Sequence, residues 1–457
     1  MSRRRPTTRR DVLAALLLAV AALAAIAALA ALRRSGSLPL RLQGRAWPLA
    51  EAVGGAVAAE GPEGEMLPPL PSGANATIFV SIGAYRDSLC GGTLESLFAA
   101  AARPQRVFVG AVAYVRAGGS GGAGERCEAP GPLLAPHEGR IRRLVLDASR
   151  ARGPTLARHQ AAALYGGQDY LLQVAIDSHM NFTAGWDEQL LRMAATAPTR
   201  RAVFTHYPAS VEDTAERRVP VMCGAAWLPH EGMVGLTAAL GEVPQRGAYR
   251  PVPFAAGGFM FAPAAVMKEV PYDPTLDFLF HGEEYLYSAR LWTSGWALLT
   301  PDANVAFHHY GRLAAPKYWQ DFEHDPDYHR KHREVLQRVQ AIMAGQGPPG
   351  YRYGMGTARS LAQWWEYAGM DPGDRSRLPD PGKFCGGRVF HAGPQPWGQA
   401  QGRQAAQGQG LRQERASSDR REAVKADGTR AAGGGLRGGG PGAGVWRPQW
   451  LPQQVRP

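Results

Sequence analysis

A chain of 457 residues with 45% hydrophobic and 20% charged side chains can bury one large core or two smaller ones, which excludes a largely disordered polymer. The formal charge of +12 does not mark a nucleic-acid binder, because many of the arginines sit at the two ends of the chain. Cys90, Cys127, Cys223 and Cys385 form no Cys-x-x-Cys pair, which argues against a cysteine zinc site; they are too few for a disulfide scaffold but leave room for one or two bridges.

Residues 1–11 carry Arg3, Arg4, Arg5, Arg9 and Arg10 and read as a short cytosolic tail. Residues 12–32 contain only Val, Leu, Ala and Ile, and at a rise of ~1.5 Å per residue they reach ~31 Å, enough to cross a bilayer core. That length favours a retained transmembrane signal anchor over a cleaved signal peptide, whose apolar stretch is shorter, although the many alanines suit the second reading too. The basic leading side predicts a single-pass, type II orientation with everything beyond the anchor in the lumen, while Arg33, Arg34, Arg41 and Arg45 pull the other way. Two Asn-x-Thr sequons, at Asn75 and Asn181, are compatible with a secretory route.

Residues 33–76 are rich in Gly, Pro, Ala and Glu without sustained periodicity and read as a stem. From Thr77 strand-like and helix-like segments alternate. Strands are predicted from Thr77, from Arg106, from Arg143 and from Tyr170 to Ile176, with helical spacing after Thr93 and from Thr155 to Tyr165. This is the pattern of a mostly parallel α/β sheet, in which ligands bind beyond the carboxyl ends of the strands. Asp177-Ser178-His179 falls at one such end.

On extended backbone, residues two apart point the same way, so the Asp177 carboxylate and the His179 imidazole can converge on one ion. Such oxygen-plus-nitrogen ligation suits Mn²⁺ or a similar divalent cation, which would bridge two phosphates. The plainer reading is an Asp capping a turn beside a surface His. Further on, Ala255-Ala-Gly-Gly-Phe-Met-Phe places Gly257 and Gly258 where backbone can approach a ligand closely. Glu283 and Glu284 open a predicted helix, where glutamates ordinarily serve the helix dipole but can also accept hydrogen bonds from sugar hydroxyls. The segment Asn304-Val-Ala-Phe-His308-His309 ends another apolar strand with imidazoles, one of which would complete a metal site.

In this order, Ile78-Phe-Val-Ser-Ile-Gly-Ala-Tyr-Arg-Asp, Ala151-Arg-Gly-Pro-Thr-Leu-Ala-Arg, Ile176-Asp-Ser-His-Met, Gly185-Trp-Asp-Glu, Ala256-Gly-Gly-Phe, Gly282-Glu-Glu and Tyr353-Gly-Met-Gly-Thr-Ala-Arg-Ser-Leu resemble the polypeptide and hydroxyproline α-N-acetylglucosaminyltransferases, over residues 77–371. A weaker similarity links the Asp-Ser-His triplet, the Gly-Glu-Glu block and the late His to polypeptide N-acetylgalactosaminyltransferases. The resemblance implies a GT-A type catalytic domain, with a Rossmann-like nucleotide-sugar-binding part and a mixed, mostly parallel central sheet. It implies a retaining transfer from a UDP-sugar, UDP-GlcNAc first, to a Ser, Thr or hydroxyproline hydroxyl of a protein acceptor, in the Golgi or another secretory membrane. Asp177, His179 and His308 would hold the metal, with His309 the alternative to His308. Arg86 and Arg152 would face the nucleotide or diphosphate, Glu283, Glu284 and Asp187 the donor sugar or the acceptor, and Trp186 and Trp292 would stack on a sugar or base unless they serve as core. The approach Gln173-Val-Ala-Ile-Asp is two residues longer than the family's, which leaves the strand register open and suggests a bulge.

Residues 372–457 are rich in Gly, Gln, Arg and Pro and cannot bury enough apolar surface to offset chain entropy, so a disordered low-complexity tail is expected. Without aromatics interleaved among Arg-Gly repeats, an RNA-binding tail is disfavoured. Two other classes compete with a transferase: an inactive sugar-nucleotide-binding module of the same fold, and a metal-dependent hydrolase using His179, His308 and His309.

Overall fold

Eight consecutive buried or nearly buried residues make strand β1 (Ile78–Tyr85), as expected of a strand covered on both faces. The computed structural model describes residues 75–116, 123–128, 132–174, 178–229, 231–243, 245–311, 315–371, 373, 384–386 and 445–446. The anchor expected at 12–32, most of the stem, Asp177 and nearly all of the tail lie outside these residues. Among the described residues no helix is long and apolar enough to cross a membrane.

After β1 come helix α1 (Cys90–Ala100), β2 (Val107–Val115), β3 (Ile141–Asp147), α2 (Pro154–Ala162) and β4 (Tyr170–Val174), each at a place where the sequence pattern predicts it. There follow β5 (Met180–Phe182), α3 (Trp186–Thr196), β6 (Ala202–Thr205), β7 (Ala209–Ser210), β8 (Val219–Leu228), β9 (Met233–Gly241), β10 (Arg250–Pro251) and β11 (Phe259–Pro263). The remainder runs α4 (Ala265–Glu269), α5 (Glu283–Thr293), β12 (Ala297–Thr300), β13 (Ala306–His308), α6 (Tyr318–Phe322), α7 (Pro326–Met343), α8 (Leu361–Ala368) and the two-residue β14 (Val445–Trp446).

Eight strands form the central sheet in the order β10-β12-β6-β11-β4-β1-β2-β3. β1 runs parallel to β2 and β4, β2 to β3, and β6 to β12; β11 is antiparallel to β4 and β6, and β10 to β12. The architecture is therefore mixed α/β with a large, mostly parallel sheet. β5, β13 and β7 make a second, small sheet, and β8 and β9 form an antiparallel pair that β14 joins.

Strand periodicity divides the core in two. Ile78, Val80 and Ile82 point to one face, where they meet Leu94, Leu97 and Phe98 of α1 and Trp186 and Leu190 of α3. Phe79, Leu171 and Met260 point to the other, joined by Leu286 and Ala289 of α5 and Trp364 of α8. Because both faces are packed, the carboxyl ends of β1 and β4 are pinned at the same end of the sheet, and the loops that follow them are neighbours.

All four cysteines are bridged. Cys90, the first residue of α1, joins Cys127 in the link between β2 and β3, and Cys223 on β8 joins Cys385, 162 residues further on. Closing the 37-residue separation between Cys90 and Cys127 restricts the unfolded chain by about 2–4 kcal/mol. Replacing both by serine is expected to lower the unfolding free energy measured in urea by that amount, and a value equal to the oxidised wild type's would contradict it.

Candidate active site

The carboxyl ends of β1 and β4 meet through Asp87. Its Oδ2 accepts a 2.5 Å hydrogen bond from the Ser178 hydroxyl and lies 2.7 Å from Nδ1 of His179, while its Oδ1 accepts from the backbone N–H of Leu89. Asp87, Ser178 and His179 are all at least nine-tenths buried. The Thr93 hydroxyl of α1 donates to the Ser178 carbonyl and accepts from the N–H of Met180, which fixes the backbone on both sides of His179. β13 then brings in His308: it pairs with Met180 across β5, the N–H of His309 donates to the carbonyl of His179, and the His179 and His308 rings lie 4.5 Å apart between centroids. His308 is buried, and the Tyr310 ring follows at 4.1 Å. The structure thus joins two of the three expected metal ligands. The third, Asp177, lies outside the described residues, and among the described residues no group of three or more His, Cys, Asp or Glu is placed to hold a metal ion. The donor chemistry fits: two adjacent imidazoles, one held by a carboxylate, with Asp177 next in sequence to Ser178.

A second cluster stands beside the first. Phe259 pairs with Val174, so Gly257 and Gly258 lie at the carboxyl end of β4, and the Gln173 side chain donates to the Gly257 carbonyl at 3.4 Å. The Gly257 N–H donates to Oε1 of Glu284, whose Oε2 accepts from the Tyr207 hydroxyl at 2.6 Å. Glu283 takes a 2.5 Å hydrogen bond and ion pair from Arg158 on α2, both residues being buried. Any β-carbon on residue 257 would sit 2.3 Å from the Arg158 guanidinium and 2.9 Å from the Glu283 carboxylate, so glycine is required there by the cluster itself. At Gly258 the nearest atom, of Pro208, is 3.4 Å from such a carbon, ordinary contact.

Two carboxylates and one guanidinium share this enclosed space, so the second carboxylate is short of positive charge. Glu284 is partly exposed, yet desolvation pushes its carboxyl up to about 8; the neighbouring Glu283 acts in the same direction, while Tyr207, Gly257 and Arg158 oppose. Burial alone would lower Arg158, but Glu283 and its neighbours hold it above its ordinary value. Burial raises Tyr207 well beyond the usual phenol range, and Glu284 adds to that.

The other expected site residues have their partners outside these two clusters. Arg86, in a left-handed conformation with φ of 47° at the end of β1, donates to Asp321 on α6, which also accepts from the Tyr85 hydroxyl. Arg152 lies over the rings of Phe278 and Phe322 and donates to the carbonyls of Ser149 and Ala151. Asp187 is fully buried, and its oxygens accept from the N–H groups of Ala102 and Arg103 at 2.7 and 3.1 Å, with Arg106 at 3.5 Å. It closes the turn between α1 and β2. Trp186 is completely buried and donates to the Leu97 carbonyl, while Trp292 is stacked on Tyr367 beneath Arg359, so both are core.

Sequence reasoning passed over Asp87, Arg158 and Tyr207. Asp87 stands just ahead of a helix, where an Asp is read as a cap. Arg158 had a signal, since it falls on the same helix face as the buried Thr155, Ala157 and Ala161, and an arginine among such residues needs a buried partner. Tyr207, in a short link between strands, had none.

A sequence profile of the family described as Glycosyltransferase (GlcNAc) matches residues 77–125 and 115–374. No curated protein sequence matches. Among solved structures, a crystal structure of GalNAc-T7 with UDP, GalNAc and Mn²⁺ is similar at 16% identity and a TM-score of 0.38, over 64% of this chain and 54% of that one.

Replacing Asp187 by Ala leaves two N–H groups without their acceptor and a buried guanidinium without its ion-pair partner, and is expected to cost about 3 kcal/mol in denaturant unfolding. Unchanged stability with lost turnover would instead return Asp187 to the chemistry. For Glu284 the folded-state value lies above the unfolded one of 4.5, so the folded state binds the extra proton between them. Wild type should therefore lose stability relative to Glu284→Gln as pH rises from about 4.5 to about 8, with no further change above that. Unfolding midpoints across this range check it, and a pH-independent difference would contradict it.

Proposed function

The chain belongs to the Glycosyltransferase (GlcNAc) family, and from that premise we propose that it transfers a sugar, GlcNAc from UDP-GlcNAc, to a Ser, Thr or hydroxyproline hydroxyl of a protein acceptor with retention of configuration. The observation that carries this reading is the meeting of His179 and His308 at the carboxyl end of β4, beside the Gly257–Glu284–Arg158 cluster. Asp177, His179 and His308 are the residues to hold a divalent cation such as Mn²⁺, and that ion, when bound, supplies positive charge to a departing nucleoside diphosphate. Glu283 and Glu284 would accept hydrogen bonds from sugar hydroxyls. Arg158 holds the Glu283 carboxylate in place, and Tyr207 with the Gly257 N–H does the same for Glu284. Arg86 and Arg152, engaged with α6 through Asp321 and Phe322, would offer their remaining N–H groups to a diphosphate.

Two disulfides that use all four cysteines support folding in an oxidising compartment, in keeping with a lumenal domain anchored by residues 12–32 in a Golgi or other secretory membrane. Incubating the purified full chain with UDP-sugars, Mn²⁺ and acceptor peptides, followed by mass spectrometry, tests the proposal. Product peptide is expected to carry one added N-acetylhexosamine, and Asp177→Ala is expected to reduce turnover about 10²- to 10³-fold with little change in unfolding midpoint. Binding without transfer would indicate the inactive module, free sugar without modified peptide a hydrolase, and undiminished turnover in Asp177→Ala would remove the proposed ion site.

A further inference from the structure

The geometry points to Asp87 as the positioning residue for His179: it fixes which ring nitrogen carries the proton and thereby leaves Nε2 as the basic nitrogen of that imidazole. This rests on the reading of His179 as a ligand, and adds what sets that ligand's state.

Asp87 is placed to receive protons. Ser178 Oγ donates to Oδ2, the Leu89 N–H donates to Oδ1, and His179 Nδ1 stands 2.7 Å from Oδ2. A carboxylate can only accept, so the nitrogen facing it must be the protonated one. Neutral imidazole has one N–H and one lone pair; with the proton on Nδ1 the lone pair belongs to Nε2.

The arrangement is rigid. Asp87 is 2% exposed and His179 6%, so water does not compete for the carboxylate. Backbone on either side of His179 is held by Thr93, and the His179 carbonyl accepts from His309. The ring is therefore fixed in rotation by Asp87 and in translation by its own backbone. A carboxylate behind a ligating imidazole also raises its basicity, and loss of such a partner typically weakens metal affinity 10- to 100-fold. A purely structural Asp87 that merely starts α1 would need only the Leu89 contact; the short bonds to Ser178 and His179, 91 and 92 residues away, go beyond that.

The test uses full-length protein with labelled histidines, in wild type, Asp87→Asn and Asp177→Ala. Long-range proton–nitrogen correlations in the metal-free protein report the His179 tautomer, with His179→Gln assigning the signal. Wild type is expected to show protonated Nδ1, and Asp87→Asn a mixture or the other tautomer. Mn²⁺ affinity in the presence of UDP is expected to fall about 10- to 100-fold in Asp87→Asn at an unfolding midpoint close to wild type. Protonated Nε2 in wild type overturns the proposal, and so does an Asp87→Asn variant with unaltered tautomer and Mn²⁺ affinity. Should Asp87→Asn fail to fold, the wild-type tautomer alone decides. If wild type and Asp177→Ala take up Mn²⁺ equally, the ion-site reading fails on its own, while the tautomer still reports on Asp87.

Discussion

One buried carboxylate ties the end of β1 to the chain that continues beyond β4. Asp87 makes that tie through Ser178 and His179, and the neighbouring features depend on it: β5 follows directly, β13 pairs with β5, and His308 arrives on β13. The parallel alignment of β1 and β4 brings the two ends within reach, and the packed helices on both sheet faces keep them there. The pair of imidazoles is thus a product of strand order, since its members are 129 residues apart in sequence, but His308 ends β13 and His179 stands just ahead of β5, the strand that β13 pairs with.

Charge is distributed unevenly in the second cluster. Glu283 takes the direct hydrogen bond of the shared guanidinium, whereas the hydrogen bonds to Glu284 come from a phenol and a backbone N–H, both neutral donors. The same pair of adjacent glutamates therefore contains one carboxylate with a full counter-charge and one whose ionised form is poorly supported. Gly257 makes this possible by keeping the wall over the cluster free of a side chain.

Much of this was legible in the sequence. Alternation of apolar strands and helical spacing from Thr77 onward identified β1, α1, β2, β3, α2 and β4, because hydrophobic period is a local property. The Asp-Ser-His triplet, the glycine pair and the double glutamate were also visible as local motifs. What the sequence did not show were partners far along the chain: Arg86 with Asp321, Arg158 with Glu283, Asp87 with His179, and both cysteine pairs. Asp187 illustrates the reverse difficulty. In sequence it stands beside a motif and looks chemical, while in space its oxygens are filled by the backbone of a turn.

The bridge between Cys223 and Cys385 sets a lower limit on the length of any shortened form of this protein. Cys385 lies beyond α8, where composition alone would suggest that folded structure has ended, yet its carbonyl accepts from Arg250 and the adjacent Phe384 ring meets Tyr367. A chain cut shortly after α8 would present an unmatched thiol at Cys223 on β8, and an expressed fragment of that kind would be prone to cross-link with its own copies under oxidising conditions.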